Sequence, residues 1–232
     1  MELFSQMITE NTITRYGMKR EQHSNDHSGL SRISRKSEDV ADYYDNWAVE
    51  YDQTLADWRY QAPEHVASIL GTQLSPYSEI LDAGCGTGLS GKALRSAGFS
   101  RIDGIDISTD SLEIAGMSGA YRTLQPIDMQ QLPFPVPTDH YDGLVCVGVL
   151  TYLTESAATL KEFCRIVRPG GVMVVTQRSD LFSERNFKSE LDKLSDEGFI
   201  KHVQISEPQP YLPENEEFGD QILVRYITCL IS

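Results

Sequence analysis

Positive charge is scarce in this chain: 20 Lys and Arg stand against 34 Asp and Glu, for a net charge of -14 and a pI near 4.7. Such a surface repels polyanions, so nucleic acid is excluded as an expected partner. Cysteine is also sparse. Cys85, Cys146, Cys164 and Cys229 lie far apart and form no C-x-x-C pair, which excludes a zinc site or a disulfide framework and predicts reduced thiols. No apolar run approaches the roughly 20 residues of a membrane span, and no signal-peptide core stands near the start. The five histidines include His65, His140 and His202, isolated and expected at the surface, so no His-carboxylate pair announces acid-base chemistry. These absences predict a cytoplasmic protein without a metal, membrane or nucleic-acid partner, monomeric or weakly dimeric.

What the chain does have is Ile80-Leu81-Asp82-Ala83-Gly84-Cys85-Gly86-Thr87-Gly88, an apolar strand entering a turn with three alternate glycines, followed by a helix over Leu89 to Ala97. Glycine serves where the backbone takes positive φ or must approach a ligand closely, and the next helix offers unpaired N-H groups to an anion. Gly86-Thr87-Gly88-Leu89-Ser90-Gly91 is also a literal G-x-G-x-x-G, and Asp106 follows at the interval a ribose-binding acid needs, so NAD satisfies the letters. Against NAD, four residues separate the apolar strand from the first glycine of that fingerprint. Arg101 to Asp106 reads as the second strand after Gly98 closes the helix, and a carboxylate at its end can accept both ribose hydroxyls. Ile107 would then pack on the adenine, while Ser108 or Thr109 caps the next helix.

Position by position, Leu81 to Gly88 resembles the first motif of the class I S-adenosylmethionine (SAM)-dependent methyltransferases. Tyr44-Asp45-Asn46-Trp47-Ala48, Tyr51-Asp52 and Arg59-Tyr60-Gln61-Ala62-Pro63 narrow the resemblance to the methyltransferase-like proteins of the Williams-Beuren critical-region type. The resemblance implies a Rossmann-like α/β fold: a seven-stranded, mostly parallel sheet, helices on both faces and an antiparallel C-terminal strand. It implies SAM as cofactor, with S-adenosylhomocysteine (SAH) as product. Asp82, Gly84, Cys85, Gly86, Thr87, Gly88, Asp106, Ile107 and Val147 would line its site, Asp128 would meet the adenine amino group, and the Met129 N-H the ring nitrogen. The segment ahead of the first strand would close over the cofactor, bringing Trp47, Tyr51 and Arg59 to it, since aromatic faces attract a sulfonium.

Residues 1–36 are polar, slightly basic and without apolar period, which predicts a flexible extension before a single domain over 37–232. Its first part, 37–71, would form cap helices ahead of a sheet core over 78–232. Ser37 is the expected N-cap of a helix carrying Val40, Tyr44, Trp47 and Tyr51 on one face, and Pro63 opens a second helix ending near Gly71. A third strand falls within Tyr121 to Ile127, and Tyr141 to Val147 reads as a buried fourth strand. A helix over Ala157 to Val167 ends at Arg168-Pro169-Gly170-Gly171, which turns into a fifth strand, Val172 to Gln177. A helix from Glu184 to Glu197 then leads to an antiparallel pair, Lys201 to Ser206 and Ile222 to Ile231.

After the fourth strand there is no Asp/Asn-Pro-Pro-Tyr/Phe sequence of the base and glutamine methylases. The substrate-side residues expected at this edge are Tyr60, Tyr152, Arg178, Tyr211 and Phe218, with Tyr44, Tyr152 and Arg178 the catalytic candidates. The functional expectation is methyl transfer to a small molecule or a protein side chain. A SAM-binding protein without methyl transfer, or an NAD-dependent oxidoreductase, would share much of the same cofactor cradle.

Overall fold

Side chains alternate faces along a strand, and the central strands here are apolar on both. Leu144 and Cys146 of the fourth strand pack on one face and Val145 and Val147 on the other; Met173 and Val175 of the fifth divide from Val172 and Val174 in the same way. Both faces therefore need helices. The computed structural model describes residues 36–215, 219 and 221–232, except the side chains of 45–51. The expected extension over 1–36 lies outside these residues but for Lys36.

In chain order the elements are α1 (Ser37–Asp57), α2 (Ala62–Gly71), β1 (Glu79–Ala83), α3 (Leu89–Ser96), β2 (Arg101–Asp106), α4 (Thr109–Met117), β3 (Thr123–Pro126) and β4 (Tyr141–Cys146). They continue as α5 (Ser156–Ile166), β5 (Val167–Arg178), α6 (Ser179–Glu184), α7 (Phe187–Asp196), β6 (Ile200–Ile205), β7 (Gln209–Pro210) and β8 (Leu223–Ile231). The sheet runs β3-β2-β1-β4-β5-β8-β6, with the two-residue β7 also on β8. Pairings from β3 to β5 are parallel, while β8 is antiparallel to β5, β6 and β7. This is the expected Rossmann-like sheet with a closing antiparallel strand, plus one short addition. Strand order reverses at β1 and β4, and in such sheets ligands occupy the crevice beyond the carboxyl ends at that reversal.

One core cluster lies under α5 and α7, around Leu144, Phe163, Met173 and Phe187. The other lies under α2 and α3, around Leu70, Ile80, Leu94 and Val174. All four cysteines are buried and free. Among the described residues no helix is long and apolar enough to cross a membrane, and no group of His, Cys, Asp and Glu could hold a metal ion.

Three local expectations need correction. Ser37 is the first helical residue and Lys36 the N-cap; the Ser37 hydroxyl instead accepts from Gln130 Nε2 at 3.1 Å. The fifth strand begins at Val167, because Tyr141 pairs with Val167 before the register shifts and Gly143 pairs with Val172. The helix expected over Glu184 to Glu197 begins instead at Phe187, and a separate short helix ends at Glu184, the two parted where Asn186 takes φ +51, a left-handed conformation that Asn tolerates better than most residues.

Candidate cofactor and substrate site

The glycine turn is tied to β2 from below. The Gly84 and Cys85 amides donate to the Ile105 carbonyl at 2.8 and 3.0 Å, and the Gly86 amide donates to Asp106 Oδ2 at 2.8 Å. Asp106 Oδ1 accepts the Ser108 amide at 2.9 Å. Asp106 thus holds both the turn and the start of α4 from the end of β2, the position at which a ribose-binding acid would stand. Gly84 has φ +81, and a Cβ there would lie 2.2 Å from Val149 Cγ2, because the β4–α5 connection packs against the turn. Gly86, at φ +50, faces open space within 4 Å, a cradle left clear where a ligand would pass.

Asp82 is fully buried at the end of β1. Its Oδ2 accepts the Tyr121 hydroxyl at 2.7 Å, and its Oδ1 has no hydrogen-bond partner among the described residues. Burial, with a smaller push from Asp106, lifts its carboxyl from 3.8 to about 7 against the opposing Tyr121 hydrogen bond. An orphaned acid beside the turn is a waiting partner for a ligand donor or cation. Tyr121, absent from the expected site, also accepts the Gly91 amide at 3.0 Å, and a Cβ on Gly91 would lie 2.2 Å from its ring. Gly91, the third glycine of the dinucleotide-like pattern, is thus the seat of Tyr121. Cys85 is buried, and burial with the Asp82 and Asp106 charges holds its thiol well above the usual range.

Helix α1 is fastened beside this cradle at both ends. Asp52 accepts from the Thr87 hydroxyl and from Lys92 Nζ, the latter at 2.8 Å, while Gln130 joins Ser37 to Thr154. The side chains of Trp47 and Tyr51 lie outside the described residues. Arg59 pairs with Glu214 at 3.3 Å in solvent, so the structure brings it to the connection before β8. Asp128 accepts from the Gln130 amide and Gln131 Nε2, at 2.9 and 3.1 Å, ordering the loop after β3. Met129 and Val147 are buried in the two cores, and Ile107 is half-buried next to Asp106.

Residues scattered through the sequence meet at the other half of this edge. The Tyr44 hydroxyl donates to Tyr152 at 3.1 Å, and Tyr60 and Tyr211 share a hydrogen bond of 3.2 Å. Both pairs are edge-to-face, at centroid separations of 5.9 and 5.1 Å. Gly148, at φ +79, leaves room for Tyr211: a Cβ would lie 2.6 Å from that hydroxyl. Arg178 ends β5 and forks onto Asp180 at 2.7 and 3.2 Å. Burial raises the Tyr152 and Tyr211 hydroxyls, so both stay protonated at neutral pH even with Arg178 nearby pulling the other way. The structure therefore brings Tyr44, Tyr60, Tyr152, Arg178 and Tyr211 near one another at this edge, while Phe218 lies outside the described residues.

Sequence reasoning also missed Arg185, which donates to the carbonyls of Leu150, Thr151 and Leu153 and pins the loop carrying Tyr152. Nor did it single out Gln177, buried beside Arg178 with Oε1 accepting from Thr151 at 3.4 Å and Nε2 unmatched among the described residues.

Residues 81–175 match the family model described as a methyltransferase domain. Human methyltransferase-like protein 27 is 35% identical over 162 residues, spanning 67% of this chain and 66% of the relative. This chain is similar to SAM-dependent methyltransferases and carries a segment that matches their domain. A demethylmenaquinone methyltransferase of Symbiobacterium thermophilum is 30% identical over 161 residues, 64% of this chain and 62% of that one. The chain thus spans just under two thirds of these relatives. In fold it resembles the [4+2]-cyclase SpnF, with a TM-score of 0.64 at 16% identity over 85% of this chain and 97% of the other. It likewise resembles the SAH-bound magnesium protoporphyrin IX methyltransferase of Synechocystis, with a TM-score of 0.60 at 18% identity over 84% of this chain and 99% of the other.

Proposed function

We propose that this chain is a methyltransferase that binds SAM at the glycine turn and methylates a small molecule held among Tyr44, Tyr60, Tyr152, Tyr211 and Arg178. The observation that carries the reading is Asp82 beside the turn, a fully buried acid with one oxygen orphaned among the described residues. When bound, SAM supplies a methyl group on a sulfonium leaving group. Asp106 would hold the ribose, the Met129 amide and Asp128 the adenine, and Asp82 the charged methionine end.

The chain's own task is then alignment and exclusion of water. Arg185 fixes the loop that presents Tyr152, and Gly148 gives Tyr211 its place. The tyrosines, kept protonated by burial, act as hydrogen-bond donors. An acceptor deprotonated at working pH suits such a site, because it needs no general base. The acidic surface supports a small molecule over nucleic acid, and the cytoplasm and a monomeric or weakly dimeric state complete the proposal.

Calorimetric titration with SAM, SAH and NAD, run beside Asp106→Ala, tests the cofactor. Micromolar binding of SAM and SAH, weakened at least a hundredfold in the variant and absent for NAD, is the expected result; binding of NAD alone would overturn it. Release of SAH in a substrate screen then separates this reading from a SAM-binding protein that transfers nothing.

A further inference from the structure

Two of the four tyrosines and the arginine at the end of β5 share one chemical property, which is that each still has hydrogen to give. Tyr152 receives its bond from Tyr44, which leaves the Tyr152 hydrogen uncommitted. With Tyr60 as donor, Tyr211 is in the same position. Arg178 has five N-H donors, and the two contacts to Asp180 use only part of them. Alternation along β5 puts Arg178 on the same sheet face as Val172 and Val174, the face against which Tyr60 and Tyr211 pack. The Arg178 charge acts on both the Tyr152 and the Tyr211 hydroxyl, which places all three within electrostatic reach of one another.

We propose that Arg178, Tyr152 and Tyr211 form a donor-lined hole that binds a carboxylate of the methyl acceptor, which makes the substrate a small organic acid. Resting on the methyltransferase reading, this inference names its substrate class. A guanidinium fork matches a carboxylate in geometry, and two phenol hydroxyls complete its acceptor positions. Burial raises the proton affinity of both phenols, which keeps them donors. Asp180 occupies the fork in the absence of such a ligand, but its side chain is 58% exposed against 18% for Arg178, and a pair open on one side yields readily to a better-buried acid. The hole is distinct from the cofactor's cradle: β4 separates β5 from β1, a distance of roughly 9–10 Å between strand axes.

Saturation-transfer NMR on the SAH-saturated protein provides the test, with benzoate, phenylacetate and hexanoate as probes and their primary amides as neutral matches. The carboxylates are expected to bind at least tenfold more tightly than the amides. Arg178→Gln should erase that preference, and Asp180→Asn, a change at an exposed side chain, should tighten carboxylate binding severalfold. SAH affinity, measured by calorimetry, should stay within twofold in both variants. Equal binding of acids and amides, no binding of any acid, or an Asp180→Asn protein that binds them no better would overturn the inference. So would a large loss of SAH affinity in Arg178→Gln, which would assign the hole to the cofactor's own carboxylate. Failure of the unaltered protein to bind SAH would instead remove the methyltransferase reading, and this inference with it.

Discussion

Along the amino edge of the parallel strands, Glu79 meets Arg101 and Arg122, Asp103 meets Arg122, and Asp142 meets Arg168. Along the carboxyl edge, Asp82, Gln177 and Ser179 each bury a polar atom with no hydrogen-bond partner among the described residues. The amino edge also has a cavity of about 730 Å³, lined by Glu79, Asp103, Arg122, Tyr141 and Arg168 among others. Polar satisfaction points to the opposite edge: Glu79 Oε2, buried without a hydrogen bond, is ion-paired to Arg122 at 2.6 Å, whereas a group left unmatched costs stability that a ligand can restore. Charges already spent on one another stabilise a sheet end; polar groups left incomplete prepare it for a guest.

Substitution at each edge can break this contrast. Gly84→Ala should have the largest effect, about 3 kcal/mol of lost stability by chemical denaturation, since the new methyl meets Val149 and sits at a strained φ. Loss of less than about 1 kcal/mol would mean that the β4–α5 loop can shift away from the turn.

Asp82 should give the protein an unusual pH profile. Its carboxyl is lifted from 3.8 to about 7, so between those values the folded chain holds a proton that the unfolded chain has released. Stability from this group is therefore full below pH ~4 and lost as pH rises through ~7. Asp82→Asn should flatten that decline in thermal melts of the ligand-free protein while weakening SAH about tenfold or more. A variant that melts with the same pH slope as the parent would refute the assignment.

At the amino edge, Asp103→Asn should cost about 1–2 kcal/mol, because Asp103 is nearly buried while its partner Arg122 is open to solvent. SAH affinity should not change beyond twofold, and a larger change would show that the edges are coupled. Lys161→Met, which removes an exposed pair with Glu197, should change stability by less than about 0.5 kcal/mol.

The cofactor half of the site was legible because its parts are local. A strand, three glycines and an acid at the end of the next strand follow one another within Ile80 to Asp106, and β2 appears at the bounds expected of it. Tyr121 was hidden because its signal is indirect, a glycine at position 91 whose missing side chain makes room for a ring thirty residues away. The tyrosine group was legible only one residue at a time. Tyr44 and Tyr152 are separated by 108 positions, and Tyr60 and Tyr211 by 151, so nothing in their spacing says that they touch. The break at Asn186 escaped because the charged, amphipathic pattern continues through it, and only the backbone conformation separates α6 from α7.

Gly91 has a consequence for how such chains are sorted. Its presence turns Gly86 to Gly91 into a dinucleotide signature letter for letter, yet the vacancy it creates is filled by a tyrosine ring of the same chain. A pattern search counts letters and is blind to the tenant. One spelling can thus serve two ends, close packing of helix on strand in a dinucleotide fold and a seat for a piece of the wall here, and only the occupant of the gap tells them apart.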